Sequence, residues 1–212
     1  MKNKKTAFTM LELIIVIIVI GILSATALGS ANRHIRDKTI DRMLTAFRYT
    51  QHLAQSDNRM NPENKLWQRS LWTIGFKSCN KGLFYYIASD KNYDAELTND
   101  EGASSVLDNK LFFATEDDCS GNDISEDILI GKNLYVESAV FSGCTSSSKS
   151  ISFDYLGRPY TDVLTKDNSN YETLLKKDCT ITISFTDDNI KDIKFSIKKE
   201  TGFILVENRG GL

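Results

Sequence analysis

The stretch that decides the fold is Lys4-Lys5-Thr6-Ala7-Phe8-Thr9-Met10-Leu11-Glu12, followed by an apolar run that continues to Leu28. Glu12 is the only charged residue between Phe8 and Leu28. A helix of this length, at about 1.5 Å per residue, is roughly 31 Å long, which is close to the thickness of the hydrocarbon layer of a bilayer. The run is apolar on every face, whereas a helix lying on a soluble core has a polar side. It therefore predicts a transmembrane helix at residues 8–29.

This stretch resembles the leader of type IV pilins and type II secretion pseudopilins. In that family a prepilin peptidase cuts between a small residue, usually Gly, and a Phe, methylates the new amine, and leaves a Glu as the fifth residue. The resemblance implies a leader at residues 1–7, cleavage between Ala7 and Phe8, N-methylation of Phe8 and an assembly role for Glu12. Ala7 departs from the usual Gly. The partners that the resemblance implies are the prepilin peptidase, other pilins or pseudopilins of the same assembly, and the inner membrane.

Glu12 has its own physical interpretation. A carboxylate inside a membrane span costs about 2.5–3.5 kcal/mol on insertion scales and marks a functional site by default. In a helical assembly the Phe8 amine of an incoming subunit could neutralise the Glu12 of a neighbour, because a buried charge is tolerated when it is paired. The alternative is an interfacial charge that reaches for the lipid headgroups. A secretory signal peptide is disfavoured because its apolar region is shorter.

The leader lysines Lys2, Lys4 and Lys5 predict a cytoplasmic N-terminus. Long domains that follow a span are translocated largely regardless of their charges, so the rest of the chain is expected in the periplasm. The expected location is thus a single pass through the bacterial inner membrane, followed by incorporation into a periplasmic pseudopilus or pilus.

The remaining sequence predicts an α+β head of the pilin type, in which the long helix packs on an antiparallel sheet. Apolar residues recur at helical spacing from residue 30, and Pro62 marks the end of the helix at Asn61, so 30–61 is the extracytoplasmic continuation. Residues 62–212 form a β-rich globular head with a polar insertion at about 90–127. Six short runs, several of which alternate apolar and polar residues, predict strands at 71–76, 83–87, 151–153, 180–185, 193–197 and 203–206.

The charge balance argues against a surface that attracts nucleic acid as a whole, and the motifs argue against an enzyme. The chain has 212 residues and a net charge of 26 − 28 = −2, so binding to nucleic acid would need a local basic patch. The sequence contains no phosphate loop or nucleophile elbow, and both histidines, His34 and His52, lie on the helix. We therefore predict no catalytic residue, no cofactor and no metal. An acidic group lacks EF-hand order and is interpreted as a solvated loop; its residues are Asp117, Asp118, Asn122, Asp123, Glu126 and Asp127.

All four cysteines lie in the part of the chain expected outside the cytoplasm, where disulfides persist. The spacing does not fit zinc, because no pair of cysteines is separated by two to four residues. Two disulfides are predicted, with three connectivities open. Pairing Cys79 with Cys119 and Cys144 with Cys179 is weakly favoured because it closes the shorter loops.

The C-terminal part carries a second resemblance. Ile151-Ser152-Phe153-Asp154-Tyr155-Leu156-Gly157-Arg158-Pro159, two strands and Thr201-Gly202-Phe203-Ile204 are similar to the GspH/FimT group of minor pseudopilins. The resemblance implies a structural minor pseudopilin, near the tip or in the initiation complex, for protein secretion. Arg158, in the Gly-Arg-Pro turn, is interpreted as structural.

The FimT side of the group implies an alternative, a DNA-binding pseudopilin of a natural-transformation system. In the predicted strand 193–197, Lys194 and Ser196 share with Lys198 the face opposite the apolar residues, as expected from alternation. Lys191, Lys199 and Arg209 lie close in sequence. The DNA-binding hypothesis therefore rests on Lys194, Lys198 and Arg209, and a solvated strand face is the ordinary interpretation.

Overall fold

A computed structural model describes residues 9–106, 108–115, 119, 121–144 and 149–207, except for the side chains of 25–31. In this part of the chain, one long helix is followed by two four-stranded sheets in which every pairing is antiparallel. The α+β class and the pilin-like arrangement of a long N-terminal helix on an antiparallel head are as predicted. The strands form two sheets rather than one.

Helix α1 extends from Met10 to Ser56. In its second half, the residues that recur at helical spacing form a stripe that is buried against the head. The phenyl ring of Phe47 is fully buried, and its centroid lies 5.7 Å from that of the Phe195 ring. The predicted end at Asn61 is wrong by one and a half turns. The residues of the stripe that are buried are Thr39, Ile40, Met43, Leu44, Phe47, Thr50 and Ala54.

The helix ends early because asparagine side chains provide competing local hydrogen bonds. The side-chain oxygens of Asn58, Asn61 and Asn64 accept the backbone N–H groups of the residues two positions later. Such bonds give the backbone an alternative to the helix. The chain therefore turns before it reaches Pro62.

The strands of the two sheets are β1 (Trp72–Cys79), β2 (Gly82–Ala88), β3 (Val136–Ser142), β4 (Ser150–Phe153), β5 (Pro159–Tyr160), β6 (Cys179–Phe185), β7 (Ile193–Ile197) and β8 (Ile204–Val206). The first sheet has the strand order β2-β1-β4-β5, and the second has the order β3-β6-β7-β8. A short helix, α2 at Ile130–Leu134, packs on β2 and β3 and thus bridges the two sheets.

Two glycine turns hold α1 on the head. Gly157 and Gly202 have φ values of +79° and +64°, which glycine adopts without strain. The side-chain amide of Gln51 on α1 donates to the carbonyl oxygens of both, at 3.3 and 2.9 Å. A Cβ atom at Gly202 would lie 2.2 Å from the Gly157 oxygen. Glycine at position 202 is therefore what allows the two turns and the helix to meet.

The described residues of the polar segment at about 90–127 lie mostly in loops, and these loops are tied to the sheets. Backbone bridges pair Ala88 with Gly102 and Leu111 with both Ser104 and Ile124. Phe113 is almost completely buried. The insertion therefore contributes to the core.

Candidate functional site

The first half of α1 exposes a band of large apolar side chains. Their exposed fractions range from 45% for Val16 to 86% for Met10. Contiguous apolar surface of this kind marks an interaction site for protein or membrane. The exposed apolar side chains of this band are Met10, Leu11, Leu13, Ile14, Ile15, Val16, Ile17, Ile18, Val19, Ile20, Ile22 and Leu23.

Glu12 forms a capping box with Thr9 at the start of α1. The backbone N–H and the hydroxyl of Thr9 donate to one carboxylate oxygen of Glu12, both at 2.9 Å, and the Glu12 N–H donates to the Thr9 hydroxyl at 3.3 Å. These bonds satisfy N–H groups that a helix start leaves unpaired. A negative charge here also complements the helix dipole. Glu12 therefore stabilises the helix start within its own chain.

The described part of the N-terminal segment thus combines a capping box between Thr9 and Glu12 with a band of exposed apolar side chains. A family profile described as the prokaryotic N-terminal methylation motif matches residues 2–28. The chain carries a prepilin signal of the type IV pilin kind. No curated protein and no solved structure matches the chain significantly.

The matched region covers residues 2–7 of the predicted leader, the predicted cleavage site and Glu12. A motif of this kind implies processing by a prepilin peptidase, membrane anchoring and assembly with other pilins. Residues 1–7 and Phe8, and with them the Ala7–Phe8 cleavage site, lie outside the described residues. Among the described residues, no helix is both long and apolar enough to cross a membrane.

The structure does not bring the residues of the predicted basic stripe together on one exposed surface. Lys194 is exposed on β7, but Ser196 is buried, at 5% exposure, between the flanking strands β6 and β8. Lys198 makes an ion pair with Asp178, with 2.6 Å between Nζ and Oδ2. Arg209 lies outside the described residues. The described lysines therefore do not form a continuous basic surface along the strand.

The ion pair of Lys198 is reinforced from the backbone. The Lys199 N–H donates to the other carboxylate oxygen of Asp178 at 3.1 Å. The hydrogen bond from Lys198 and then that from Lys199 lower the pKa of Asp178. The Lys199 side chain lies 3.8 Å from a Glu200 carboxylate oxygen. Two of the lysines near the stripe thus face acidic neighbours.

Both disulfides have the connectivity that closes the shorter loops. Cys79, at the end of β1, is bonded to Cys119 in the insertion, and Cys144, just after β3, is bonded to Cys179 at the start of β6. The first bond ties the insertion to the first sheet, and the second joins neighbouring strands. Their role is to hold the head together.

Arg158 has the structural role that its turn suggests. The Asp154 carboxylate is fully buried and accepts from Arg158 Nε and Nη2, both at 2.7 Å, and from the Tyr160 hydroxyl at 3.1 Å. Its other oxygen accepts the backbone N–H groups of Leu156 and Arg158. Asp154 and Arg158 therefore fix the turn on which Gln51 docks.

Two residues of the predicted acidic group, Glu126 and Asp127, make ion pairs. Asp127 lies 2.8 Å from Arg42 on α1, and Glu126 lies 3.0 Å from Lys132 on α2. Asp117 and Asp118 lie outside the described residues.

Sequence reasoning missed a groove beside α1. It has a volume of about 860 Å³ and lies between the helix and the residues Ser105, Val106 and Phe112. Tyr49, Tyr85 and Phe112 form its aromatic wall, and burial raises the pKa of both phenols. The signal in the sequence was the spacing of four between His34, Lys38 and Arg42, which places all three on one face of the helix and along the groove.

Proposed function

We propose that the protein is a structural subunit of a type II secretion or type IV pilus-like filament, a minor pseudopilin of the GspH/FimT group. The observation that carries this proposal is a methylation motif at the start of a helix that exposes large apolar side chains from Met10 to Leu23. The helix would anchor the chain in the inner membrane before assembly and contact other subunits afterwards. The head would lie in the periplasm, where its two disulfides are maintained.

Processing is the direct test of this proposal. Mass spectrometry of the mature chain should show an N-methylated Phe8 as the first residue. An intact Met1, or a cut near Ala25 as in a secreted protein, would contradict the assignment.

The role of Glu12 can be separated into capping and charge. Glu12→Gln keeps an oxygen that can accept the Thr9 N–H, as Gln does in capping boxes, but removes the charge. Glu12→Ala removes both. If Glu12 pairs with the Phe8 amine of a neighbour, both variants insert into the membrane but fail to enter the filament.

The comparison of the two variants has a definite alternative outcome. If Glu12→Gln assembles like the wild type while Glu12→Ala does not, the helix cap is what assembly needs. If both variants assemble normally, Glu12 has no assembly role. Membrane fractions provide the control for insertion, and filaments sheared from the cell report assembly.

The DNA-uptake alternative predicts a different phenotype for a deletion strain. A DNA-binding pseudopilin is required for transformation, whereas a secretion pseudopilin is required for release of exoproteins. DNA binding by the purified chain should weaken steeply as salt rises, and replacing Lys194, Lys198 and Arg209 together should reduce that slope. The ion pair between Lys198 and Asp178 favours the secretion proposal because it leaves less positive charge available for phosphate.

A further inference from the structure

The loop after β2 has a spacing of oxygen-bearing residues that the functional proposal does not use. Residues 90–101 read Asp-Lys-Asn-Tyr-Asp-Ala-Glu-Leu-Thr-Asn-Asp-Glu. Twelve-residue calcium loops of the EF-hand type use side chains at positions 1, 3, 5, 9 and 12 and the carbonyl of position 7, with a glycine at position 6 for the turn. This loop has suitable oxygens at all six positions, contributed by Asp90, Asn92, Asp94, Glu96, Thr98 and Glu101.

The backbone follows the turn that this spacing requires. Ala95 occupies the glycine position and has a φ of +69°, in the left-handed region that glycine adopts most easily. Thr98 begins a short 3-10 helix at Asn99–Glu101, and Glu101 forms a capping box with it. The ends of the loop are held together, since the Ser89 N–H donates to the Glu101 carbonyl at 3.1 Å.

A buried and incompletely satisfied carboxylate points to a ligand. Asp90 is 0% exposed, and its Oδ2 accepts the Ala95 N–H at 2.8 Å. Its Oδ1 is the buried side-chain oxygen without a hydrogen-bond partner among the described residues. A buried charged oxygen without a partner is costly. The position of Oδ1 is that of the first ligand in a calcium loop.

Other acidic groups act on the same carboxylate. Burial raises the pKa of Asp90, the backbone N–H groups of Ala95 and Tyr93 oppose this by hydrogen bonding to the carboxylate, and the charges of Glu101 and Asp94 raise the pKa further. Glu101 is itself buried, at 4% exposure. Two buried acids and a third beside them form an environment that a cation would stabilise, because it compensates their mutual repulsion.

We propose that the loop 90–101 is a calcium-binding site, with Asp90, Asn92, Asp94 and Glu101 as side-chain ligands. The described residues hold no ready cluster of three or more acidic, histidine or cysteine side chains at metal-binding distance. Glu101 now accepts the N–H groups of Lys91 and Thr98, and Asp94 accepts that of Glu96. Calcium binding therefore contracts the loop and replaces some of these hydrogen bonds.

Calcium fits this oxygen set better than magnesium does. It accepts six to eight oxygen ligands in flexible geometry, whereas magnesium requires an octahedron and keeps several waters. Extracellular calcium modules have dissociation constants of about 10⁻⁴–10⁻³ M. We expect that range here because alanine at the turn position leaves the loop under strain.

The test is isothermal titration calorimetry of the full chain in detergent micelles, with calcium chloride and, separately, magnesium chloride. One calcium ion should bind per chain. Asp90→Asn and Glu101→Gln should weaken binding at least tenfold. Asp100→Asn is the matched control, because it removes an equal charge from a non-ligating position of the same loop, and it should change affinity less than threefold.

Two further variants keep the test decisive. Asp94→Ala removes the oxygens of an exposed ligand, so it should weaken binding even if the buried variants fold poorly in EDTA. Ala95→Gly removes the strain at positive φ and should bind calcium at least as tightly as the wild type. The proposal is overturned if the wild type binds no calcium at millimolar concentration, or if Asp94→Ala and the matched Asp100→Ala have equal effects.

Discussion

The two halves of α1 have opposite surroundings. Between Met10 and Leu23 the large apolar side chains are exposed, whereas from Thr39 to Ala54 a single stripe is buried against both sheets. The first half is apolar on all faces and the second is apolar on one. Apolar content alone therefore does not locate the core of this protein, because a helix that is apolar all round needs an apolar environment that its own head does not supply.

The largest expected difference between the halves comes from truncating one large side chain in each. Phe47 is fully buried and Ile17 is 61% exposed. Phe47→Ala should lower the free energy of unfolding by about 3–5 kcal/mol, because it leaves a cavity between helix and sheet. Ile17→Ala should change it by less than about 0.5 kcal/mol. Chemical denaturation of the full chain in detergent measures the unfolding free energy of both variants. Comparable losses of unfolding free energy would contradict the division of α1 into an exposed half and a packed half.

A second prediction concerns the turn on which the packed half docks. Arg158→Ala leaves the buried Asp154 carboxylate without its cation and should cost about 3 kcal/mol of unfolding free energy. Arg158→Lys should recover part of this loss, since lysine restores the charge but not the two-nitrogen geometry of arginine. A loss below about 1 kcal/mol for the alanine variant would show that the turn does not depend on the pair.

Sequence patterns predicted the features of this fold that depend on local spacing. The buried stripe of α1 follows from a period of 3.6, and six of the eight strands in the described residues follow from short apolar runs, several of which have a period of 2. The strand β3 was missed because a bulge between Val136 and Ser138 shifts its register and breaks the alternation. The short strand β5 contains only Pro159 and Tyr160, too few residues for a pattern.

The division into two sheets depends on long-range pairing that no local pattern records. The strand β1 pairs with β4 across the insertion, while β3 pairs with β6. For the site, the motif located Glu12, but its bond to Thr9 required coordinates. The spacing of the proposed calcium loop is present in the sequence, where Ala95 at the glycine position conceals it. The burial of Asp90 is visible only in the fold.

A third and smaller effect is expected at Gln51, which joins the packed half to both glycine turns. Gln51→Ala removes its hydrogen bonds to the carbonyls of Gly157 and Gly202 and should cost about 1–2 kcal/mol. The neighbouring His52 is exposed, so His52→Ala is the matched control and should have little effect on stability. Equal losses of unfolding free energy in the two variants would mean that the effect comes from helix propensity and not from the hydrogen bonds of Gln51 to the glycine turns.

The smallest expected effect lies far from the helix, at the exposed ion pair between Lys198 and Asp178. The Lys198 hydrogen bond is the largest cause of the lowered pKa of Asp178. A carboxyl whose pKa is lower in the folded state stabilises the fold above its unfolded pKa, about 3.9, and loses that contribution as pH falls through the folded value. Lys198→Ala should therefore reduce stability slightly at pH 7 and not at all once Asp178 is protonated in both states.

Thermal unfolding of the wild type and Lys198→Ala between pH 2 and pH 7 measures this difference. Lys199→Ala is the control, because its backbone N–H still donates to Asp178 while its side chain lies by Glu200. The difference between wild type and Lys198→Ala should shrink with added salt, since exposed charges are screened. A difference that persists at the lowest pH would mean that Lys198 acts by packing its aliphatic stem on the sheet and not through the charge of Asp178.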